Sequence, residues 1–340
     1  MAEQPLEEMN SVPVSTDSPL RERQLWLGMV ISLAFLVLFF YRVDLLGMTR
    51  AVVEANYLYT LPAVAIYFIG VWFRTLRWHY LLRPVKNIGA SELFSAVAIG
   101  YMANNILPAR AGEFVRAYVV GRKENVSKMS VLATIAVERM FDGLSLLFFM
   151  ILAWLLTPLD SWLQHILRVG AAFFVGFLAI FLAIATSPEL GRRVASLILR
   201  PMPVALRGRG QEMSDLFIDG LAALRSPRSL AMVFATSVLA WLAEAAMYYL
   251  ISLSFAIDQP FAVLVVMTAV ANLGTTLPSG PGGMGSFDAL SRWTLTLFGV
   301  HVDQAAAYTV VLHVVLWLPI TLLGLYYLWR ENLSLRDARS

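Results

Sequence analysis

Long apolar stretches separated by short polar segments fill most of this chain, and that pattern predicts helices that cross a membrane. A helix of about 20 apolar residues is long enough to span a bilayer. On this criterion the sequence predicts six full spans, near residues 25–41, 58–77, 131–156, 168–186, 229–257 and 303–329. Residues 1–20 are rich in Pro, Ser and acidic side chains and predict a disordered cytoplasmic tail. Residues 331–340 form a second short tail.

Two further apolar stretches, residues 91–120 and 261–298, are interrupted near their centres by Pro and Gly. Each runs in the same order through an Asn, a Leu-Pro pair and one or more Gly. Unwound backbone survives at membrane depth only where it is buried in protein or lines a cavity. Interruptions at corresponding places in the two halves of a chain are typical of a transporter's binding site. We therefore expect two re-entrant hairpins, each made of two half-helices that enter and leave on one side.

The distribution of basic residues supports the two hairpins. With the N-terminus in the cytoplasm, most of the 26 Lys and Arg residues fall on the inner side of the predicted topology. The topology divides into two units of the same content, residues 24–156 and 168–329, whose hairpins enter from opposite sides. We interpret this as an inverted-topology repeat in a single all-α, polytopic membrane domain over residues 21–330. Eight ordinary helices are the alternative.

The same topology places both termini in the cytoplasm and the protein in the cell (inner) membrane. Between the two units, residues 187–228 are basic, with apolar side chains at helical spacing. Such a segment is expected to be an amphipathic connector on the cytoplasmic membrane surface, where anionic lipids attract it.

Composition excludes several classes of protein. Hydrophobic residues make up 59% of the chain and charged residues only 14%, which is far from a soluble domain of this length. The chain has no Cys, so disulfides, thiolate nucleophiles and Cys-ligated metals are excluded, and only four His argue against a His-rich metal site. No ATP-binding motif is present in the sequence. We expect no metal, no cofactor and no nucleic-acid partner.

Arginines near the inner side of the membrane are candidates for binding a phosphate. Arg74 and Arg77 lie one turn apart on one helix face, and a planar guanidinium can hold a phosphate in two places. In the first hairpin, Pro108 and Gly112 open the backbone. The polar residues near this opening are Asn105, Arg110, Glu113 and Arg116. Snorkelling of the arginines to the interface and solvated loop charges are the alternatives.

The predicted third span carries Glu138 and Asp142 four residues apart, with Arg139 between them. Two carboxylates on one helix face repel each other unless cations approach them. We expect the approaching cation to be Arg110, Arg116 or Arg74. Such a network either binds substrate directly or only fixes the helix packing. In both cases the loss of one partner would leave a buried charge unpaired.

The second hairpin is rich in Gly and hydroxyl side chains and nearly free of charge. Successive backbone N–H groups of such a turn can form a nest for an anion, and close helix packing is the alternative explanation of the glycines. The candidates there are Asn272, Ser279, Gly282, Gly283 and Asp288. Glu244 and His313, in the flanking spans, are candidates for proton coupling. Alternatively, Glu244 is protonated and hydrogen-bonded to a Tyr or a backbone carbonyl.

Four motifs occur in order along the chain. They are Arg74-x-x-Arg77-Trp78, Asn105-x-x-Pro108-x-Arg110-x-Gly112-Glu113-x-x-Arg116, Glu138-Arg139-x-x-Asp142 and Pro278-x-x-Pro281-Gly282-Gly283-x-Gly285. Over roughly residues 20–330, the chain thereby resembles the lysylphosphatidylglycerol synthase transmembrane family, also called flippase-like or uncharacterised protein family 0104. Many members carry Glu after the Gly-rich turn where this chain has the shorter Asp288. The resemblance does not extend to the soluble aminoacyl-transferase domain of the best-known members, so we do not expect aminoacylation of lipid.

The arginines, the interrupted helices and the resemblance together favour a lipid translocase. Its substrate would be an anionic phospholipid or a lipid-linked phosphate, whose headgroup passes through the protein while the tails stay in the bilayer. Anionic membrane lipids are thus the expected partners. Two alternatives remain. One is an intramembrane enzyme acting on a lipid phosphate, with Glu113, Glu138 or Asp142 as base or metal ligand, and the other is a secondary exporter of a small amphipathic anion.

Overall fold

The regular elements in the described part of the protein are helical. The computed structural model describes residues 19–107, 110–156, 172, 175–176, 179–180, 182–184, 186–276 and 280–331. Residues 1–18 and 332–340 of the predicted tails, and much of the predicted span 168–186, lie outside these residues. So do Pro108, Pro278 and the candidate site residue Ser279.

The main helices follow one another along the chain with short connections. They are α1 (Pro19–Phe40), α2 (Leu45–Glu54), α3 (Thr60–Leu82), α4 (Ala90–Ile106), α5 (Gly112–Glu124), α6 (Lys128–Leu156), α7 (Pro188–Leu199), α8 (Val204–Gly220), α9 (Pro227–Ser254), α10 (Phe261–Gly274), α11 (Ser286–Leu297) and α12 (Val302–Arg330). Short 3-10 turns occur at Tyr57–Tyr59, Leu221–Arg225 and Pro281–Gly283.

Three helical segments of the described chain are long and apolar enough to cross a bilayer. They are Tyr57–Leu82, Pro227–Ser254 and Val302–Arg330. A fourth candidate is the pair Met29–Phe40 and Leu45–Glu54, whose two parts are bent by 81°. The protein is therefore an all-helical membrane protein with three or four candidate spans, and the total of six spans stays a prediction.

Helix α2 is not among the elements that the sequence predicts. It begins at Asp44, whose carboxylate accepts hydrogen bonds from the N–H groups of Leu46 and Gly47 at 3.1 and 3.2 Å, as an N-cap residue does. The Asp44 N–H donates to Asp303 Oδ1 at 2.8 Å, which ties the start of α2 to the start of α12. The predicted span 25–41 thus ends where the chain turns onto α2.

An antiparallel pair of helices, α3 and α9, lies at the centre of the fold. The N–H of Asn56, just before α3, donates at 2.8 Å to the carbonyl of Ser254, the last residue of α9. Further along α3, a Cβ added to Gly70 would lie 3.4 Å from the Ala240 carbonyl oxygen. The two helices are thus in van der Waals contact at this point.

Both interrupted stretches are helical hairpins, α4 packed on α5 and α10 packed on α11. In the first, the Lys86 ammonium donates to the Glu124 carbonyl at 2.8 Å, so the segment before α4 meets the end of α5. In the second, the Gln259 amide donates to the Phe298 carbonyl at 3.1 Å, just beyond the end of α11. The first hairpin follows α3 and the second follows α9. Because α3 and α9 are antiparallel, the two hairpins open at opposite ends of this pair.

Several helix contacts recur when the two halves of the chain are exchanged. Helix α4 packs against α12 as α10 packs against α6, and α3 packs against α4 as α9 packs against α10. Helix α2 packs against α12 as α8 packs against α6, so these two helices are equivalent as well. The predicted connector, residues 187–228, contains α7 and α8, and its place on the cytoplasmic membrane surface stays a prediction. The inverted repeat of residues 24–156 and 168–329 also stays a prediction, which these paired contacts support.

The crossing of α4 and α5 depends on the absence of a side chain at Gly112. A Cβ there would lie 2.0 Å from the Gly100 carbonyl oxygen, and backbone cannot move aside as a flexible side chain can. We predict that Gly112→Ala lowers the Tm of the detergent-solubilised protein, because overpacking costs about 1–3 kcal/mol. The control is Gly208→Ala on α8, where no atom lies within 4 Å of the added Cβ. An unchanged Tm for Gly112→Ala would contradict this crossing.

Candidate functional site

Arg77, on α3, lies in the interior of the protein beside two carboxylates of α6. Its Nη2 donates to Glu138 Oε1 at 2.8 Å and its Nη1 donates to Asp142 Oδ1 at 2.6 Å. A further hydrogen bond, at 3.1 Å, reaches the Ser237 hydroxyl on α9. Because Arg77 and Glu138 have no exposed side-chain surface, each depends on its partners for the interactions that water would otherwise supply. The sequence did not indicate Arg77 as a partner of these acids.

Glu138 is shared by three arginines. Besides Arg77, Arg116 of α5 donates to Glu138 Oε2 at 2.9 Å, and Arg139 donates to Oε1 at 3.2 Å. The predicted approach of Arg116 to this pair of acids is confirmed. The Arg116 guanidinium also lies over the Trp78 ring, 4.0 Å from its centroid, in a cation–π contact. One carboxylate therefore joins α3, α5 and α6.

Arg110, Glu113 and Arg139 form the exposed edge of this network, which we call the rim. Glu113 Oε1 lies 3.5 Å from Arg110 Nε and 3.6 Å from Arg139 Nε. The side chains of Arg110, Glu113 and Arg139 are 41%, 23% and 31% exposed. Arg110 has a φ of +53°, a left-handed conformation that costs energy in non-glycine residues and is concentrated at functional sites. The rim thus presents guanidinium groups at the surface of an otherwise buried network.

The network has more cations than anions among the described residues. Its cations are Arg77, Arg110, Arg116 and Arg139, and its anions, one fewer, are Glu113, Glu138 and Asp142. The buried arginines surround Glu138 and reach Asp142, whereas the contacts of Glu113 at the rim are long. The excess positive charge therefore lies at the rim, where an anion would be attracted.

A second buried ion pair links the two halves of the protein. Arg74 of α3 donates to Glu244 Oε2 of α9 at 2.5 Å, with both side chains 7% exposed. Glu244 Oε1 accepts further hydrogen bonds from the Tyr248 hydroxyl at 3.1 Å and the Asn272 amide at 2.9 Å. Asn272 of the second hairpin is thereby attached to the central helix pair.

Trp241, on α9, joins the two ion networks. Its indole N–H donates to Asp142 Oδ1 at 3.0 Å, and its ring centroid lies 4.8 Å from the Arg74 guanidinium carbon. The two networks are therefore parts of one polar core between α3, α6 and α9. Trp241 precedes Glu244 by three residues, one helical turn, and this spacing is the signal that could have indicated it.

Asp288 and His313 form a separate pair at the second hairpin. His313 Nδ1 lies 2.6 Å from Asp288 Oδ1, and Asp288 Oδ2 accepts the Gly285 N–H at 2.9 Å. Within the described part of the chain, no hydrogen bond joins His313 to Glu244, the other residue predicted for proton coupling. Their joint role in proton coupling stays a prediction.

The tips of the two hairpins meet at Trp317 of α12. The Asn105 amide, at the end of α4, donates to the Trp317 carbonyl at 3.2 Å. From the second hairpin, a Cβ added to Gly282 would lie 3.1 Å from Trp317 Cδ1. The φ angles of Gly282 and Gly283, +66° and +77°, favour glycine. Trp317 is absent from the motifs, and sequence spacing alone could not have indicated it.

The structure thus places the predicted site residues in three groups. The first is the buried network with its rim, Arg77, Arg110, Glu113, Arg116, Glu138, Arg139 and Asp142. The second is the ion pair Arg74 and Glu244 with Asn272. The third is the region of the hairpin tips and α12, with Asn105, Gly282, Gly283, Asp288 and His313. Among the residues that the structure describes, no three His, Asp or Glu side chains are grouped as metal ligands would be.

The long apolar helices and the buried polar core define a multi-pass membrane protein. The chain belongs to the lysylphosphatidylglycerol synthase transmembrane family, whose TM region matches residues 25–324, as the motifs predict. A UPF0104 membrane protein of Methanothermobacter thermautotrophicus is 27% identical over 286 residues, which cover 80% of this chain and 85% of that protein. A UPF0104 membrane protein of Pyrococcus horikoshii is 24% identical over 298 residues, covering 81% of this chain and 88% of that protein.

A third relative is a longer protein. Glycosyltransferase AglD of Haloferax volcanii is 27% identical over 333 residues, which cover 85% of this chain and 51% of AglD. The chain therefore spans about half the length of that relative.

We predict that Glu138 makes a large contribution to stability. The substitution Glu138→Gln leaves three arginines without their shared charge, and breaking a buried ion pair costs about 3–5 kcal/mol. The Tm of the purified protein in detergent should fall accordingly. The matched control is Glu124→Gln, whose partner Lys86 is 45% exposed, because a surface pair contributes only about 0–1 kcal/mol. An equal fall in Tm in the two variants would show that the network is not a stabilising core.

Proposed function

We propose that the protein is a lipid translocase that binds an anionic phospholipid or a lipid-linked phosphate by its headgroup. The rim is the observation that carries this proposal. Arg110 and Arg139 present partly exposed guanidinium groups on either side of Glu113, and two guanidinium groups are well suited to the oxygens of one phosphate. The acyl chains of such a lipid can stay in the bilayer while the headgroup enters the protein.

The buried part of the network holds the side chains of the rim in position. A phosphate that leaves water for the membrane interior loses its hydration and needs other charges to compensate. Arg77 and Arg116 are both bound to Glu138, which fixes α3 and α5 against α6 and so holds Arg110 and Arg139 in place. Fixed, oriented charges of this kind stabilise a bound anion with little reorganisation.

The proposed membrane topology has six full spans and two re-entrant hairpins that enter from opposite sides. Its support is the antiparallel arrangement of α3 and α9 and the opposite directions in which the two hairpins open. Antiparallel repeats of this kind allow a site between them to be exposed to each side in turn. We place both termini in the cytoplasm of the cell and the protein in its inner membrane, because of the positive-inside distribution of Lys and Arg.

An intramembrane enzyme that acts on a lipid phosphate is the second candidate. It is favoured by the relative named glycosyltransferase AglD. However, Glu138 and Asp142 are already bound by arginines, which makes them poor general bases, so Glu113 at the rim is the acid with room to react. Turnover of a polyprenyl phosphate on addition of Mg²⁺ would support the enzyme.

We predict that Arg110→Gln slows lipid translocation because it removes the most exposed cation of the rim. The assay uses proteoliposomes with fluorescent phosphatidylglycerol. Dithionite quenching distinguishes the labelled lipid in the outer leaflet from that in the inner leaflet. We expect a loss of at least about tenfold in rate, equivalent to about 1.4 kcal/mol of binding or barrier energy. Arg110→Lys should retain more activity than Arg110→Gln, because lysine keeps the positive charge although it lacks the planar set of guanidinium N–H donors.

The matched control is Arg50→Gln, which removes an exposed arginine of α2 away from the network and should leave the rate unchanged. Wild-type protein that moves no labelled lipid would refute the translocase. Uptake of soluble organic anions into the same proteoliposomes, without lipid movement, would instead indicate a secondary exporter.

A further inference from the structure

Three segments that are far apart in the sequence converge at one half-buried point, which we call the junction. It consists of Asn105 at the end of α4, Trp317 in α12 and Gly282 in the loop between α10 and α11. The Asn105 side chain donates to the Thr321 hydroxyl at 2.9 Å as well as to the Trp317 carbonyl. In return, the Trp317 indole N–H donates to the Asn105 carbonyl at 3.3 Å. The first hairpin and α12 therefore each donate a hydrogen bond to the other.

The second hairpin reaches the same indole through Gly282. A Cβ on Gly282 would lie 3.1 Å from Trp317 Cδ1 and 3.8 Å from the Asn105 Cα. The backbone there, with φ of +66°, is also one that residues with side chains rarely adopt. The junction therefore brings the two hairpin tips within contact distance of each other, with the indole packed against both.

The junction is mechanically connected to the rim. The neighbouring Asn104 accepts a hydrogen bond from the Gly112 N–H at 2.8 Å, which fixes the chain that returns from the tip into α5. Arg110 lies within this return, five residues after Asn105. A displacement of the first tip would therefore displace the rim arginine with it.

Helix α12 is weakened where it holds the junction. Pro319 lies inside this helix and has no N–H to donate to the preceding turn. The Trp317 carbonyl, two residues earlier, accepts side-chain hydrogen bonds from Asn105 and from Thr321. Prolines of this kind are common sites of bending in helices, so α12 can change its path here at low cost.

We infer that the junction is the gate of the translocase and that Trp317 is the residue that closes it. The inference rests on the proposed function. Since the hairpins open at opposite ends of the α3 and α9 pair and their tips touch at the junction, a headgroup that passes from one opening to the other has to separate them. Asn105, Trp317 and Gly282 are positioning residues in this role, and the phosphate itself is bound at the rim.

The test is a reversible lock between the tips. The chain has no Cys, so the double variant Asn105→Cys with Gly282→Cys carries a single possible disulfide. The added Cβ of residue 282 would lie 3.8 Å from the Cα of residue 105. A disulfide needs Cβ atoms about 3.5–4.5 Å apart, so its formation itself tests whether the tips are in contact. In proteoliposomes with fluorescent phosphatidylglycerol, oxidation with copper phenanthroline should form the disulfide and slow lipid movement at least about tenfold. Reduction with dithiothreitol should restore the rate of the unoxidised variant.

The control lock attaches the same loop to a different helix. In Ser32→Cys with Gly280→Cys, the new Cβ would lie 3.6 Å from the Cβ of Ser32. Helix α1 packs along α11, so this lock does not join the two tips. This disulfide should form and leave the rate unchanged.

Three results would overturn the gate. The first is a disulfide that forms in the control pair but not between the tips. The second is full activity with the tips locked, which would leave the translocase intact and refute the gate alone. The third is a wild-type protein that moves no lipid at all, in which case the proposed function fails and the gate fails with it.

Discussion

Guanidinium groups buried against carboxylates inside an apolar helical bundle are the interaction on which the rest of this structure depends. Removing Arg77, Arg116 and Glu138 from water is costly, and only short, multiple contacts can repay that cost. The contacts present require α3, α5 and α6 to lie together, and Arg77 also reaches α9. The polar core thereby fixes the hairpin of α4 and α5 relative to the central helices. It also leaves the excess positive charge at the rim.

The second constraint is the close approach of backbones in the interrupted regions. Gly100 and Gly112 let α4 and α5 cross in contact, and Gly282 lets the second hairpin reach Trp317. Within a membrane, close packing of small residues replaces the hydrophobic driving force between helices. Glycine is thus needed both to build each hairpin and to bring the two tips together. The central helices α3 and α9 are antiparallel and several contacts recur between the two halves, which supports the proposed mechanism of alternating exposure.

Much of the fold could be predicted from the sequence, because the apolar spacing indicates long helices and the Pro and Gly positions indicate where helices break. The paired interruptions indicated two packed helix pairs, whose re-entrant course stays a prediction. The two acids on α6 predicted an arginine partner such as Arg116. Helix α2 escaped prediction because its 10 residues are too few for a span. The contacts of Arg77 and Trp317 could not be predicted, since spacing fixes only the face of a helix on which a residue lies. It does not fix which distant helix will pack there.

The direction in which each hairpin enters the membrane is the central claim of this account, and cysteine labelling tests it most directly. Lys86→Cys and Lys123→Cys mark the two ends of the first hairpin, and Asp258→Cys and His301→Cys mark those of the second. Each would be introduced singly and labelled with a membrane-impermeant maleimide in inside-out and right-side-out vesicles. We predict that the first two react only from the cytoplasmic side and the last two only from the outer side. If one end of a hairpin were labelled from the cytoplasmic side and its other end from the outer side, that result would contradict the account.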